Sequence, residues 1–259
     1  MTEVGFIPGI YNYCDRWCEK CEQRLHCMSF VMGKKIEEKG GFNFDREASR
    51  DEESIWNRLK DVFESTYEVL HELAEERGID VEDIYASENI NKEFWGEDFE
   101  NRAKGEHCNS QVEASDIIRI CMIYEDLADK CLEKIFQILD KKEKTPKPKP
   151  VDDALEAVNW YLDLIQAKMR RALYGYFYQK SYGKRESEDY NGSAKVALIA
   201  IERSITGWQV IREAFYDYQR EAGHLLVVLE QLLKDVVKQF PKAREFQRPG
   251  FDLNCISES

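Results

Sequence analysis

The chain has 259 residues, of which 43% are hydrophobic and 34% charged, so it is long enough to bury a sizeable core and is too apolar for a disordered chain. Its formal net charge of −13 argues against a nucleic-acid binder, because phosphate neutralisation needs a clustered basic surface. With 14 glycines and 6 prolines, a β-sandwich or barrel with many turns is also disfavoured.

The sequence contains no apolar stretch that approaches the roughly 18–20 residues needed to cross a bilayer. The N-terminus, MTEVGFIPGIYNY, has neither a positive leader nor a long apolar run, so we expect no secretory signal. A cytoplasmic location without a membrane partner follows as the expectation. In that compartment disulfides are rare, and grouped cysteines bind metal or carry out redox chemistry.

Four long segments have the 3-4 apolar spacing of amphipathic helices. They are residues 51–77, 111–141, 152–181 and 194–239. The first ends before Gly78, and the second starts with a capping box that runs from Ser110 to Glu113. The third follows Pro150, and the fourth is either continuous or bent near Gly223.

Four apolar stripes of this kind must bury one another, which favours an all-α fold built as an antiparallel four-helix bundle. We predict that the bundle occupies residues 51–240, with a proline-containing linker at 141–151 between its second and third helices. Residues 1–50 do not share its pattern and are predicted to form a separate four-cysteine metal-binding module. Residues 241–259 are a C-terminal tail without clear periodicity.

Four cysteines lie within 14 residues near the N-terminus. Cys14, Cys18, Cys21 and Cys27 have the spacing Cys-x3-Cys-x2-Cys-x5-Cys. Thiolates are soft ligands that select zinc, copper(I) or iron–sulfur clusters, and a two-residue gap lets successive sulfurs face one centre. The compact gaps and nearby aromatic residues favour a [4Fe-4S] cluster. A structural four-cysteine zinc site and metal-free redox thiols remain alternatives.

Two iron–sulfur families have similar cysteine spacing. The stretch from Cys18 to Cys27 resembles the loop Cys-x6-Cys-x2-Cys-x5-Cys of endonuclease III-type DNA glycosylases. That resemblance implies a [4Fe-4S] cluster, but not glycosylase activity, since the chain lacks a helix-hairpin-helix signature and a basic face. The stretch from Cys14 to Cys21 is similar to the cluster motif of radical S-adenosylmethionine enzymes. Those enzymes leave one iron of the cluster without a cysteine ligand, whereas in this chain Cys27 would supply a fourth ligand. The alternation of strands and helices typical of those enzymes is also absent from this sequence.

A second hypothesis concerns carboxylates and histidines on the long helices. Two Glu-x-x-His motifs occur, and their i, i+3 spacing places both side chains on one helix face. Ferritin-like di-iron bundles combine two such motifs with one glutamate from each of two other helices. The six candidate ligands are Glu68, His71, Glu125, Glu156, Glu221 and His224. This pattern predicts a second metal site in the bundle, although the motif phases lie off the apolar stripes.

These observations lead to three functional hypotheses. The first is a protein with one four-cysteine [4Fe-4S] cluster in a structural, redox-sensing or electron-transfer role. The second is a non-catalytic protein-interaction module. In this hypothesis a structural zinc ion holds the N-terminal segment together, and the helix bundle binds a partner protein. The third is a carboxylate–histidine bundle enzyme. No catalytic motif for hydrolysis, nucleotide binding or phosphate binding is present, so we lean against an enzyme. The long amphipathic helices also make a homodimer plausible.

Overall fold

The computed structural model describes residues 5–38, 52–75, 98–141, 148–183 and 189–252. These residues form α-helices joined by short 3-10 turns, and no β-strand occurs among them. The prediction of an all-α protein is therefore confirmed for the described part of the chain. None of the helices described is long and apolar enough to cross a membrane.

Seven α-helices follow one another along the described chain. They are α1 (Met28–Glu38), α2 (Glu52–Glu75), α3 (Asp98–Glu113), α4 (Asp116–Lys141), α5 (Lys149–Tyr182), α6 (Asp189–Ala214) and α7 (Gln219–Gln239). Apolar periodicity located α2, α4 and α5 to within a few residues of their observed ends. Helix α3 lies mostly between the segments predicted at 51–77 and 111–141, and residues 76–97 lie outside the described residues.

The chain divides into two compact units. The first unit contains Met1–Tyr11 and Cys18–Glu100, and the second contains Asn12–Trp17 and Asn101–Ser259. This division differs from the predicted boundary at residue 50, because α2 belongs to the same unit as Cys18, Cys21 and Cys27. The predicted C-terminal tail belongs to the second unit together with the long helices.

In the second unit, helices α4 to α7 bury their apolar faces against one another. Helix α5 packs on α4 and α6, and α7 packs on the same two helices, so the four contacts close a ring. Gly207 permits the close approach of α6 to α5, since a Cβ at this position would lie 2.6 Å from Val158 Cγ2 and 3.1 Å from the carbonyl oxygen of Ala154. The core is thus shared by all four helices.

Trp208 and Tyr124 form a polar contact inside this core. Both side chains are fully buried, and the indole Nε1 of Trp208 donates to the hydroxyl oxygen of Tyr124 at 3.1 Å. Burial raises the pKa of Tyr124 to about 12. Because a buried polar group without a partner is destabilising, this contact lets two large aromatic side chains occupy the interior.

Two predicted details of the long helices are wrong. The predicted helix at 194–239 is divided between α6 and α7 by a break at Phe215–Tyr218, where Phe215 leaves helical geometry with φ −115° and ψ 87°. Gly223 lies inside α7 instead of at a bend. The break allows the chain to reverse, so that α7 packs against α6. The predicted capping box is also wrong, because Ser110 and Glu113 lie at the end of α3.

In the first unit, α1 packs against α2 through a small apolar cluster. Val69 of α2 and Ile36 of α1 are buried, and Met32 packs on them. Several other large side chains of α2 remain exposed, including Phe63, Tyr67 and Leu70. The described part of the predicted module at 1–50 therefore acquires its core by packing against the helix that follows it.

The chain after α7 is ordered against α6, although its sequence has too little periodicity for a prediction. Phe240 and Ala243 are buried, and a 3-10 turn spans Ala243–Glu245. Lys195 of α6 donates to the carbonyl oxygen of Phe246 at 2.6 Å and pairs with Asp252 at 2.8 Å. Residues 253–259, including Cys255, lie outside the described residues.

Candidate functional site

Cys18 and Cys21 lie at the two ends of one 3-10 turn. The turn spans Cys18–Lys20, and the N–H of Cys21 donates to the carbonyl oxygen of Cys18 at 3.2 Å. In this geometry, side chains three residues apart eclipse one another. Both cysteines are partly exposed. The 3-10 geometry therefore brings the two cysteines to equivalent positions on successive turns of the backbone.

Cys27 lies at the start of α1. Its backbone is extended, with φ −101° and ψ 110°, and its carbonyl oxygen accepts the first helical hydrogen bond from Val31 N–H at 3.1 Å. It therefore occupies the N-cap position. The helix dipole places partial positive charge at this end, which favours anionic groups. Cys27 is buried, unlike the two cysteines before it.

His26 is tied to the chain that precedes the cysteines. Its carbonyl oxygen accepts from Ile7 N–H at 3.0 Å, and its ring Nδ1 contacts the carbonyl oxygen of Gly5 at 3.1 Å. If the ring carries its proton on Nδ1, this contact is a hydrogen bond from His26 to Gly5. The interaction fixes the loop ahead of Cys27 without involving a thiol.

Cys14 belongs to a segment that lies against the helices of the second unit. We call residues 12–17 the strap. Its central residue is Asp15, whose carboxylate Oδ2 accepts from Arg203 at 2.7 Å and from the hydroxyl of Tyr161 at 2.9 Å. The carbonyl oxygen of Asp15 accepts from Trp160 Nε1 at 3.0 Å. Three side chains of α5 and α6 thus hold the residue that follows Cys14.

A tight turn shapes the strap around Asp15. The second carboxylate oxygen of Asp15, Oδ1, accepts a hydrogen bond from Trp17 N–H at 3.2 Å, which forms an Asx turn. Arg16, between them, has a φ of 58° in the left-handed region that non-glycine residues seldom occupy. Trp17 then stacks on Trp160 with ring centroids 5.2 Å apart, and its exposed fraction is 9%.

The other end of the strap inserts an aromatic ring into a gap in α6. Tyr13 lies 4.7 Å from Phe246 between ring centroids, and it occupies the space where Gly192 lacks a side chain. Burial, together with the hydrogen bond from its hydroxyl to Asp189, raises the pKa of Tyr13 to about 12. Asp189 also pairs with Arg171 at 2.9 Å. Tyr13 is therefore anchored by both packing and polar contacts.

A buried lysine lies beneath the strap. Lys168 of α5 is only 7% exposed, and its Nζ donates to the carbonyl oxygen of Asn12 at 3.2 Å. Burial lowers the pKa of Lys168, while the nearby Cys14 and Asp15 oppose that effect. Arg16 and Arg171 also lie within electrostatic range of Lys168. Cys14 therefore lies within electrostatic range of the buried Lys168, and it remains partly exposed.

The donor chemistry of the four cysteines suits a soft metal, but the structure does not assemble them. Among the residues that the structure describes, no group of three or more His, Cys, Asp or Glu is arranged to hold a metal ion. None of the seven cysteines within the described ranges is in a disulfide. The ligand set therefore stays a prediction from spacing and chemistry.

Three further cysteines are buried in helices. Cys121 and Cys131 of α4 are 1% and 4% exposed. Burial raises the pKa of Cys121 to about 12 and that of Cys131 to about 11. Cys108 is fully buried in α3. All three behave as small core residues.

The six residues of the carboxylate–histidine hypothesis are not brought into one group. Glu156 of α5 and both Glu221 and His224 of α7 are exposed, whereas di-iron ligands project into a bundle core. Glu68 is exposed on α2. His71, one turn further along α2, lies on the ring of Tyr67, with 4.3 Å between ring centroids. The sixth residue, Glu125 of α4, is half-buried and lines a cavity.

Glu125 lines an acidic cavity between α4 and α5. The cavity measures about 410 Å³ and is lined by Met122, Glu125, Asp126, Asp129, Leu162, Asp163 and Gln166. Burial raises the pKa of Glu125, and the charge of Asp163 adds to the effect. The Oε2 atom of Glu125 is buried without a hydrogen-bond partner among the described residues. Sequence reasoning selected Glu125 for another reason and missed the aspartates around it.

Comparisons with known proteins identify no relative of this chain. No protein-family model matches the chain, and neither the curated proteins nor the solved structures provide a match. The case for a function therefore rests on the residues described above.

Proposed function

We propose that the chain is a metal-binding protein in which Cys14, Cys18, Cys21 and Cys27 ligate one [4Fe-4S] cluster. Its role would be structural, redox-sensing or electron-transferring, since four cysteine ligands leave no open iron for a substrate. In this proposal α4 to α7 form a four-helix bundle that serves as the scaffold. The predicted bundle differs from it, because it counted α2 as its first helix and residues 194–239 as a single fourth helix.

The observation that carries the proposal is the 3-10 turn from Cys18 to Cys21. Its i, i+3 geometry supports two adjacent ligands on one metal centre. The placement of Cys27 at the N-terminus of α1 adds support, because the partial positive charge of that end suits an anionic metal–thiolate centre. Metal binding commonly orders its own ligands, so the proposal expects the thiols to converge when metal binds.

The test is spectroscopy and metal analysis of the full chain purified without oxygen. We expect brown protein that absorbs at about 400 nm and contains iron and sulfide. Replacing Cys18 or Cys21 with Ser should remove the absorption. The matched control is Cys131→Ala, which removes a buried thiol of α4 and should leave the spectrum unchanged. Wild-type protein with no bound metal would overturn the proposal.

The second candidate is a protein-interaction module with a structural four-cysteine zinc site. Exposed apolar side chains on α4 favour it: Met122, Ile123 and Leu127 are 50%, 52% and 41% exposed. Large exposed apolar residues on one helix are typical of surfaces that bind another protein or a second copy. Colourless protein with one zinc per chain, insensitive to oxidant and reductant, would select this candidate over the cluster.

A further inference from the structure

The residue that follows Cys14 has a partner far along the chain. Arg203 of α6 donates to the Asp15 carboxylate and also to the hydroxyl of Tyr161, and its guanidinium lies 5.6 Å from the centre of the Tyr161 ring. Tyr161 in turn donates to Asp15. Arg203, Tyr161 and Asp15 therefore form a closed triangle of hydrogen bonds.

Cys14 lies between two anchored neighbours. On one side Tyr13 fills the gap at Gly192, and on the other Asp15 is held by Arg203 and Tyr161. Because both neighbours are fixed, the backbone of Cys14 has little freedom of its own. Its side chain nevertheless stays partly exposed. A constrained backbone at a residue that is not fully buried suits a metal ligand, because a ligand is held in place by the residues around it.

We infer that Arg203 is a positioning residue for Cys14: through Asp15 and Tyr161 it holds the strap in the conformation that presents the thiol to metal. The inference rests on the proposed function, and it assigns a role to a residue outside the cysteine motif. Arg203 does not touch the metal. It acts by ordering the strap before metal binds, so that metal binding does not itself have to offset the loss of conformational entropy.

The inference has a reciprocal consequence. If metal binds more tightly when the strap is docked, then bound metal must stabilise the docked strap by the same factor. The stacked rings of Trp17 and Trp160, 5.2 Å apart, report on that docking through their fluorescence. Metal affinity and tryptophan emission are thus two independent readouts of one coupling.

The test uses the full chain with Arg203→Met and a matched control. Arg244→Met is the control, because Arg244 pairs at 2.6 Å with Glu202, the neighbour of Arg203 on α6, and not with Asp15. Both arginines are about half exposed, so neither substitution should prevent folding. We expect Arg203→Met to weaken the binding of Zn²⁺, used as the probe metal on the metal-free chain, about tenfold. Competition with a chromophoric chelator measures this affinity, and Arg244→Met should leave it unchanged.

Two further variants separate positioning from a general structural effect. Arg203→Lys keeps a positive charge near Asp15 and should restore part of the affinity. In a Cys14→Ser background, Arg203→Met should cause no further loss, because the ligand that it positions is already absent. Circular dichroism of each variant checks that the helices are intact.

The possible failures can be told apart. If the wild-type chain binds no metal, both the proposed function and this inference are overturned. If the wild type binds metal and Arg203→Met binds it equally well, only the inference is overturned. An equal loss of affinity with and without Cys14 would also overturn it, since the arginine would then act on the whole fold.

Discussion

Asp15 and Arg203 lie 188 positions apart in the chain, and the guanidinium of Arg203 donates to the Asp15 carboxylate at 2.7 Å. The same carboxylate oxygen accepts from Tyr161, which is fully buried. An exposed ion pair alone contributes little to stability. This one is strengthened because the Tyr161 hydroxyl needs an acceptor in a place that water does not reach. The strap is therefore bound to α5 and α6 by a specific polar contact.

Replacing Asp15 with Ala should lower the free energy of unfolding by about 1–3 kcal/mol, since the buried hydroxyl of Tyr161 loses its acceptor. Urea unfolding followed by circular dichroism measures the change. Glu202→Ala is the control, because it breaks the exposed pair with Arg244 and should cost less than about 1 kcal/mol. Equal losses in the two variants would contradict the role given to the Tyr161 contact.

Replacing Gly192 with Ala should destabilise the protein by about 1–3 kcal/mol through overpacking. A Cβ at this position would lie 2.4 Å from the Tyr13 ring and 2.8 Å from the Phe246 ring, so the strap or the C-terminal segment must move. Gly223→Ala provides the opposite expectation, because no atom lies within 4 Å of its Cβ position in α7. That substitution should stabilise by about 0.5–1 kcal/mol.

Thermal melting of the two glycine variants provides the comparison. A lower melting temperature for Gly192→Ala together with a higher one for Gly223→Ala supports the packing of Tyr13 against α6. If Gly192→Ala is as stable as the wild type, the ring of Tyr13 does not occupy the place that the structure gives it.

Replacing Glu125 with Gln should raise the melting temperature at pH 7. Burial and the charge of Asp163 raise the pKa of Glu125 above its ordinary value. Because its pKa is higher in the folded state than in the unfolded state, Glu125 favours folding while it is protonated, and that contribution is lost as pH rises. The advantage of the Gln variant should therefore shrink towards pH 4, and calorimetry at both pH values measures it. An advantage that grows at low pH would contradict this reasoning.

Replacing Asp252 with Asn should destabilise the C-terminal segment at pH 7. Burial alone would raise the pKa of Asp252, but hydrogen bonds from Arg248 and Lys195 outweigh this effect and hold that pKa well below its usual range. Its stabilising contribution is therefore complete above the unfolded pKa of about 3.9 and is lost as pH falls through the lower folded value. The difference between wild type and variant should narrow below about pH 4.

Urea titrations at pH 7 and pH 3 measure this difference. The matched comparison is Asp235→Asn, since Asp235 bonds to Gln231 on the surface of α7 and lacks basic partners in the described contacts. A variant at Asp252 that unfolds like the wild type at pH 7 would show that the segment is held by apolar packing alone.

The sequence predicted the helices better than their connections. Helix α4 was found because its apolar residues, Cys121 and Cys131 among them, recur at a 3-4 spacing that only a helix turns to one side. The break at Phe215–Tyr218 was missed, because no glycine or proline marks it and the reversal is determined by packing of α7 on α6 and α4. The local spacing of apolar residues therefore does not predict where the chain reverses.

The sequence suggested the ligands of the candidate site, which stay a prediction, but not the contacts around them. The four cysteines lie within 14 residues, so their spacing alone suggests that they bind a common metal centre. The contacts of Asp15 with Tyr161 and Arg203 span 146 and 188 residues, and no local signal relates them. Gly192 likewise reads as an ordinary turn residue until Tyr13 is seen to occupy its space.

The most direct test of the central claim is X-ray absorption at the metal edge of the anaerobically purified full chain. The proposed function predicts four sulfur ligands at about 2.3 Å, the usual metal–thiolate distance, and an additional iron–iron distance if a cluster is present. Replacing Cys27 with Ser should lower the average number of sulfur ligands per metal ion or abolish metal binding. A first shell made of nitrogen and oxygen would contradict the claim that the four cysteines hold the metal.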